Sequence, residues 1–111
     1  MTTLEKVRRL GEYLAVGNSV VDPVIETTIN KLLARESNRM VELETRLTNQ
    51  LLEFEERYTL KSDDFYRRYE AGELGDGMDF VEWAATVEML ANVKQQLALL
   101  ETATSQCSAP P

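Results

Sequence analysis

One long apolar pattern constrains the fold of this chain more than any other feature of its sequence. After Pro23 there is no glycine or proline until Gly72. Within that stretch apolar residues recur at steps of three, four and seven, which keeps one face of a helix apolar for about ten turns. They are Ile25, Ile29, Leu32, Leu33, Met40, Leu43, Leu47, Leu51, Phe54 and Tyr58. At about 1.5 Å per residue, a helix over residues 24–58 would be roughly 52 Å long.

The start of this long helix is also marked. Asp22 is a favourable N-cap, and Pro23 fits the first helical position, where its missing N–H is not needed. A polar run at residues 36–38, Glu-Ser-Asn, interrupts the apolar face and marks a place where the helix could kink. A first helix is predicted over roughly residues 2–15, where Leu4, Val7, Leu10 and Leu14 follow at steps of three and four.

Two more helices are predicted in the second half of the chain. Ser62 is placed to cap a short helix, which Gly72 and Gly75 then end. Asp79 is expected to cap the last helix, with Glu82 three residues later as its capping-box partner. The last helix carries apolar residues again at steps of three and four and should end near residue 101. The sequence therefore predicts one helical domain over residues 1–103 and a disordered tail over residues 104–111.

These helix lengths predict an all-α fold with a specific arrangement. The last helix can cover only the second half of the long central helix, and the short connection between them favours an antiparallel C-terminal hairpin. The first helix is left to fold back on residues 25–33. Because much of the apolar face of the long helix would then stay open, we expect bundle-like packing in a homodimer.

The composition argues against several classes of function. The chain has no histidine, the commonest general base and transition-metal ligand, so we expect a protein that is not an enzyme and holds no metal or cofactor. Its single cysteine, Cys107, cannot form an internal disulfide. No run of apolar residues exceeds four, which argues against a transmembrane segment or a secretory signal and favours a cytoplasmic protein.

Charge is distributed unevenly along the chain. Residues 1–49 hold seven acidic and seven basic residues, whereas residues 50–111 hold twelve acidic and five basic ones, so the second half carries the whole net charge of −7. Such an acidic region would attract a basic partner and repel nucleic acid. It would also serve as a solubilising surface, and charge alone favours that interpretation.

Residues 65–83, "FYRRYEAGELGDGMDFVEW", form what we call the aromatic corner, with five of the eight aromatic residues of the chain and three of its five glycines. Acidic residues around glycines raise the possibility of a metal loop, but the alternation and twelve-residue frame of a calcium loop are missing. A catalytic carboxylate pair would need a desolvated pocket, which a sequence cannot reveal. Two interpretations stay open for the aromatic residues: core alone, or core together with a surface for a partner.

The partner-surface interpretation depends on the spacing of the aromatic residues and on their type. Phe65 and Tyr69 are four apart and Phe80 and Trp83 three apart, so each pair shares a helix face. Tyrosine, tryptophan and arginine are enriched in the hot spots of protein interfaces. The predicted partner-binding residues are Phe65, Tyr66, Arg67, Tyr69, Glu73, Asp76 and Trp83.

A nucleic-acid interface is the weaker alternative. Lys31, Arg35 and Arg39 follow each other at four-residue steps and form a short basic stripe on the long helix, but acidic residues flank it. The sequence has no helix-turn-helix signature, zinc finger or basic region. The stripe is better explained as a solvated, ion-paired helix face.

The second half of the chain resembles a recurring pattern in small prokaryotic helical proteins. The pattern comprises an aromatic-rich short helix, a "GELGD" turn, and "D-F-x-E-W" at the start of a helix that ends in "LxxLE"; here it covers residues 54–101. Proteins of this kind are regarded as antitoxin-like partners of small toxins. The resemblance therefore implies an interaction protein with an inhibitory role, and it brings no catalytic residues. The acidic charge of the second half is compatible with a small basic toxin as the target. The alternative is a structural or adaptor homodimer with no inhibitory role.

Overall fold

The computed structural model describes residues 1–17 and 22–107, with side chains described as far as residue 103. This part of the chain forms four helices and no β-strand: α1 (Thr3–Val16), α2 (Pro23–Tyr58), α3 (Ser62–Glu70) and α4 (Met78–Cys107). The predicted all-α fold is confirmed. None of these helices is both long enough and apolar enough to cross a membrane.

The central helix α2 has 36 residues and runs without a break through the polar run at residues 36–38. Asp22 caps it as expected, because its Oδ1 accepts a hydrogen bond of 2.8 Å from the backbone N–H of Val24. Ser37 lies half-buried in this run, and its hydroxyl is buried without a hydrogen-bond partner. The polar run therefore places a polar atom in an apolar setting without ending the helix.

The chain divides into two compact units, Met1–Leu32 and Leu33–Pro111, which we call the N-terminal unit and the C-terminal unit. The interpretation of residues 1–103 as a single domain stays a prediction. In the N-terminal unit none of the described residues is buried, and Leu4, Val7 and Leu10 of α1 are exposed. That α1 folds back on residues 25–33 also stays a prediction.

The C-terminal unit contains the buried core. The end of α2 contacts the start of α4, where Tyr58 packs against Phe80. One turn earlier in α2, Phe54 stacks on Trp83, which lies about one turn further along α4. The two helices are therefore antiparallel, as the sequence predicts. The core residues come from α2, α3 and α4 and are Leu47, Leu51, Phe54, Phe65, Trp83, Ala84, Leu90, Val93 and Leu97.

Helix α3 ends in a turn that only glycine suits. Gly72 has φ +77°, in the left-handed region. Its N–H donates to the carbonyl of Tyr69, and the next N–H, of Glu73, donates to that of Arg68, which is the hydrogen-bond pattern of a Schellman motif. Gly75 also has a positive φ, of 79°. The predicted role of Gly72 in ending α3 is confirmed, whereas Gly75 lies in the connection beyond the end of the helix.

The end of α4 differs from expectation. The helix continues to Cys107, beyond the expected end near residue 101, because no glycine or proline occurs before Pro110. The expected disordered tail thus overlaps α4 at residues 104–107, and residues 108–111 lie outside the described residues. The expected homodimer stays a prediction.

Candidate protein-interaction site

A stack of aromatic rings forms the centre of the aromatic corner. Phe65 of α3 and Trp83 of α4 are both 0% exposed, and their rings lie 3.8 Å apart between centroids at an angle of only 3°. Phe54 of α2 stacks on Trp83 at 5.4 Å. All three helices of the C-terminal unit thus meet at Trp83, which fixes the position of the short helix α3 against the α2–α4 hairpin.

Ser62 belongs to this core. The sequence predicted that its side chain caps α3, but the side chain does not do so. Its hydroxyl is buried and accepts a hydrogen bond of 3.0 Å from the indole Nε1 of Trp83. The backbone N–H of Ser62 instead donates to Oε2 of Glu55, in the last turn of α2, at 3.0 Å. The capping prediction was wrong because a tertiary contact uses the hydroxyl, and a carboxylate from the preceding helix accepts from the first N–H of α3.

Asp79 likewise has a tertiary role in place of the predicted N-cap. Helix α4 begins one residue earlier, at Met78. The Oδ2 atom of Asp79 accepts a hydrogen bond of 2.5 Å from the hydroxyl of Tyr58 and one of 3.1 Å from Arg57. The hydrogen bond from Tyr58, with help from Arg57, lowers the pKa of Asp79, and the same bond raises the pKa of the Tyr58 hydroxyl. Asp79 therefore ties the start of α4 to the end of α2.

Three residues of the predicted site on α3 reach the surface, although Tyr69 also stacks on the buried Phe65 at 5.6 Å. Tyr66 and Tyr69 are half-buried, and Arg67 is exposed. The Tyr66 hydroxyl donates to Oε1 of Glu88 on α4 at 3.0 Å. Hydrogen bonding to Glu70 and then to Glu88 raises the pKa of this hydroxyl. Tyr66 thus keeps its proton and has a fixed orientation, with part of its ring at the surface.

The turn after α3 adds two exposed acidic residues close in sequence to these three. Glu73 and Asp76 are both exposed. On α3 itself, Arg67 pairs with Asp64 at 2.7 Å, yet its side chain remains 74% exposed. A partner could therefore reach a cationic group, two anionic groups and the edges of two tyrosines within one short stretch of chain. We call Tyr66, Arg67, Tyr69, Glu73 and Asp76 the α3 face.

The structure thus separates the seven predicted partner-binding residues into two groups. Phe65 and Trp83 are wholly buried, so their side chains offer no surface to a partner. For these two residues the core interpretation holds, because each fills the space between three helices. The other five residues, which form the α3 face, are half-buried or exposed, and their role in binding stays a prediction.

A groove beside the aromatic corner was not anticipated from the sequence. It has a volume of about 430 Å³, is open to solvent, and is lined by Leu52, Glu55, Glu56, Thr59, Leu60 and Lys61. Leu52 is 52% exposed. Its position off the apolar spine of α2 is the sequence signal that could have indicated an open apolar spot here.

The arrangement offers surface for contact more than groups for chemistry. Among the described residues, no three or more histidine, cysteine or acidic side chains are placed to hold a metal ion. Of the predicted basic stripe, Arg39 pairs with Glu36 at 3.0 Å. That nucleic acid does not bind, and that the protein is not an enzyme, both stay predictions.

Comparison with the models of known protein families, with curated proteins and with solved structures gave no match.

Proposed function

We propose that this protein is a non-enzymatic interaction module that binds and inhibits a small basic protein, as antitoxins do with their toxins. The observation that supports this proposal is the α3 face. Its tyrosines and arginine are held on a short helix whose inner side is locked by the stack of Phe65 on Trp83. A rigid surface loses little conformational entropy on binding, which favours affinity.

The chemistry of the α3 face favours a basic partner. Tyr66 and Arg67 are of the residue types that contribute most in interface hot spots, and Glu73 and Asp76 are free of the core and exposed. Residues 53–82 hold ten acidic residues against four basic ones. A negative field of this kind raises the association rate of a positively charged protein and suppresses wrong partners.

An enzymatic function has less support. General acid–base catalysis needs a group held within reach of substrate in a site that excludes water. The groove lined by Glu55, Glu56 and Lys61 is open to solvent, and its lining includes none of the residues of the α3 face. We therefore propose that the carboxylates of the aromatic corner attract and orient a partner.

The alternative function is a structural or adaptor homodimer without inhibitory activity. The observation that favours it is the N-terminal unit, whose described residues include no buried side chain. Dimerisation by itself is compatible with the inhibitory function, because the proposed interfaces use residues of different units of the chain.

Co-expression tests the inhibitory function. The protein is produced together with the product of each neighbouring gene, and growth of the host is measured with and without it. We expect a small basic neighbour to arrest growth and this protein to relieve the arrest. The variant Arg67→Ala should relieve it less well than Met89→Ala, a matched exposed residue on α4 outside the α3 face. Growth arrest that the protein never relieves would contradict the proposal.

A further inference from the structure

The N-terminal unit has two apolar stripes, and none of its described residues is buried. On α1 the exposed residues Leu4, Val7 and Leu10 follow at steps of three, and Leu14 is half-buried. Helical spacing puts these residues on one side of α1. Single exposed apolar residues are ordinary, but a continuous stripe along a helix marks a surface that another element covers.

The first turns of α2 repeat the pattern. Val24 and Leu32 are exposed at 72% and 51%, and Ile25 and Ile29 between them are half-buried. The N-terminal unit thus consists of two amphipathic helical segments, and each needs a partner for its apolar side.

We infer that a second copy of this chain covers both stripes, so that two N-terminal units form a four-helix core in a symmetric dimer. The apolar area available is of the right size. Five exposed side chains at about 100 Å² each and three half-buried ones at about 50 Å² each give roughly 650 Å² per copy. Each partner of a stable protein complex buries about 600–1,000 Å².

The distribution of charge also favours a second copy of the chain as the partner that covers the two stripes. Residues 1–32 hold four acidic and four basic residues, so two N-terminal units meet without net repulsion. Residues 33–111 hold fifteen acidic and eight basic residues, a net charge of −7, so two C-terminal units repel each other. Self-association through the N-terminal unit uses none of the residues of the α3 face.

Gly11 provides a second position at which the proposed dimer interface can be tested. It lies in the interior of α1, four residues after Val7 and three before Leu14, and therefore on the same stripe. A Cβ added at Gly11 would meet nothing within 4 Å. A glycine inside a helix lowers its stability relative to most other residues. A larger residue at this position should therefore strengthen the isolated helix, whereas it would obstruct a helix that packs against the stripe.

Sedimentation equilibrium of the full chain, from low micromolar to hundreds of micromolar, tests the inference. We expect wild type to approach twice the 12.6 kDa mass of the chain. The stripe variant Val7→Gln/Leu10→Gln should dimerise at least about tenfold more weakly, because each copy loses two apolar side chains that the dimer would bury. The control Val16→Gln removes an even more exposed apolar residue from the same helix and should dimerise like wild type. Val16 lies about two and a half turns from Val7, on the opposite side.

A third variant separates dimer loss from loss of the helix. Gly11→Gln should increase helix content by circular dichroism, since glutamine is a better helix former, and still weaken the dimer. The single-chain mass for wild type at every concentration would overturn the inference. So would a stripe variant that dimerises as well as wild type, or a control that loses as much as the stripe variant. The test needs no toxin, so it succeeds or fails independently of the inhibitory function.

Discussion

Trp83 holds the aromatic corner together through its ring and its indole nitrogen. The ring stacks on Phe65 and Phe54, and the nitrogen donates to a buried serine hydroxyl. A side chain with these contacts contributes both buried area and a satisfied polar group, and its loss cannot be compensated by a small shift of one helix.

Replacing Trp83 by alanine should lower the free energy of unfolding by about 3–5 kcal/mol, because the change removes buried area and leaves a cavity. Met89→Ala is the matched control, since Met89 lies on the same helix and is 49% exposed; it should cost less than about 1 kcal/mol. Urea denaturation followed by circular dichroism measures both. A cost for Trp83→Ala as small as that of the control would place Trp83 at the surface.

A substitution at Gly72 tests the conformation of the turn that follows α3. Its φ of +77° is unfavourable for any residue with a Cβ, although a Cβ there would meet no atom within 4 Å. Gly72→Ala should therefore cost about 1–2 kcal/mol through the backbone alone. Gly77 lies in the same connection without a positive φ, so Gly77→Ala avoids this backbone strain and should cost less, although alanine is also a poorer N-cap for α4 than glycine. Equal effects of the two substitutions in urea denaturation would show that the conformation of Gly72 is not as described.

At the scale of helices, the sequence predicts what local chemistry determines. Steps of three and four place α2 and α4, and Asp22 and Gly72 act through hydrogen bonds to residues near them in the chain. The N-cap predictions that were wrong concern Ser62 and Asp79. Their side chains form hydrogen bonds with residues about twenty positions away in the chain. Local rules make both residues good N-caps, and only the packing of α3 and α4 on α2 reveals their other partners.

The link between Asp79, Tyr58 and Arg57 joins the end of α2 to the start of α4, and it should depend on pH. The pKa of Asp79 is lowered in the folded protein from an ordinary value of 3.8. A depressed carboxylate pKa means that the stabilisation is fully present above about pH 4 and is lost as the pH falls through the folded-state pKa.

Asp79→Asn provides the comparison for this pH dependence. The variant should be less stable than wild type at pH 7, and the difference should shrink as the pH falls below about 4, because wild type then loses its carboxylate. Urea denaturation of both proteins from neutral pH to about pH 2.5 measures it, and the other carboxylates cancel in the difference. A difference that stays constant through this range would contradict the assigned hydrogen bonds.

At the scale of the whole molecule, the chain combines an N-terminal unit whose described residues are all at least partly exposed and a C-terminal unit with a buried core. The sequence locates the candidate site as a cluster of aromatic and charged residues, but it cannot divide that cluster into core and surface. Phe65 and Tyr66 are adjacent aromatic residues. Only the packing of α3 on Trp83 buries Phe65 and leaves part of Tyr66 accessible.

The central claim is that the α3 face binds a basic protein and that the acidic half of the chain steers it there. Binding kinetics with the basic protein found by co-expression test this claim most directly, at two salt concentrations. The Debye length falls from about 10 Å at 0.1 M to about 3 Å at 1 M, so the on-rate should fall as salt rises, and Glu73→Lys/Asp76→Lys should lower it at low salt. Tyr66→Ala and Arg67→Ala should each raise the off-rate by about tenfold, whereas Met89→Ala should leave it unchanged. An on-rate indifferent to salt and charge reversal, together with off-rates equal to that of wild type, would contradict the claim.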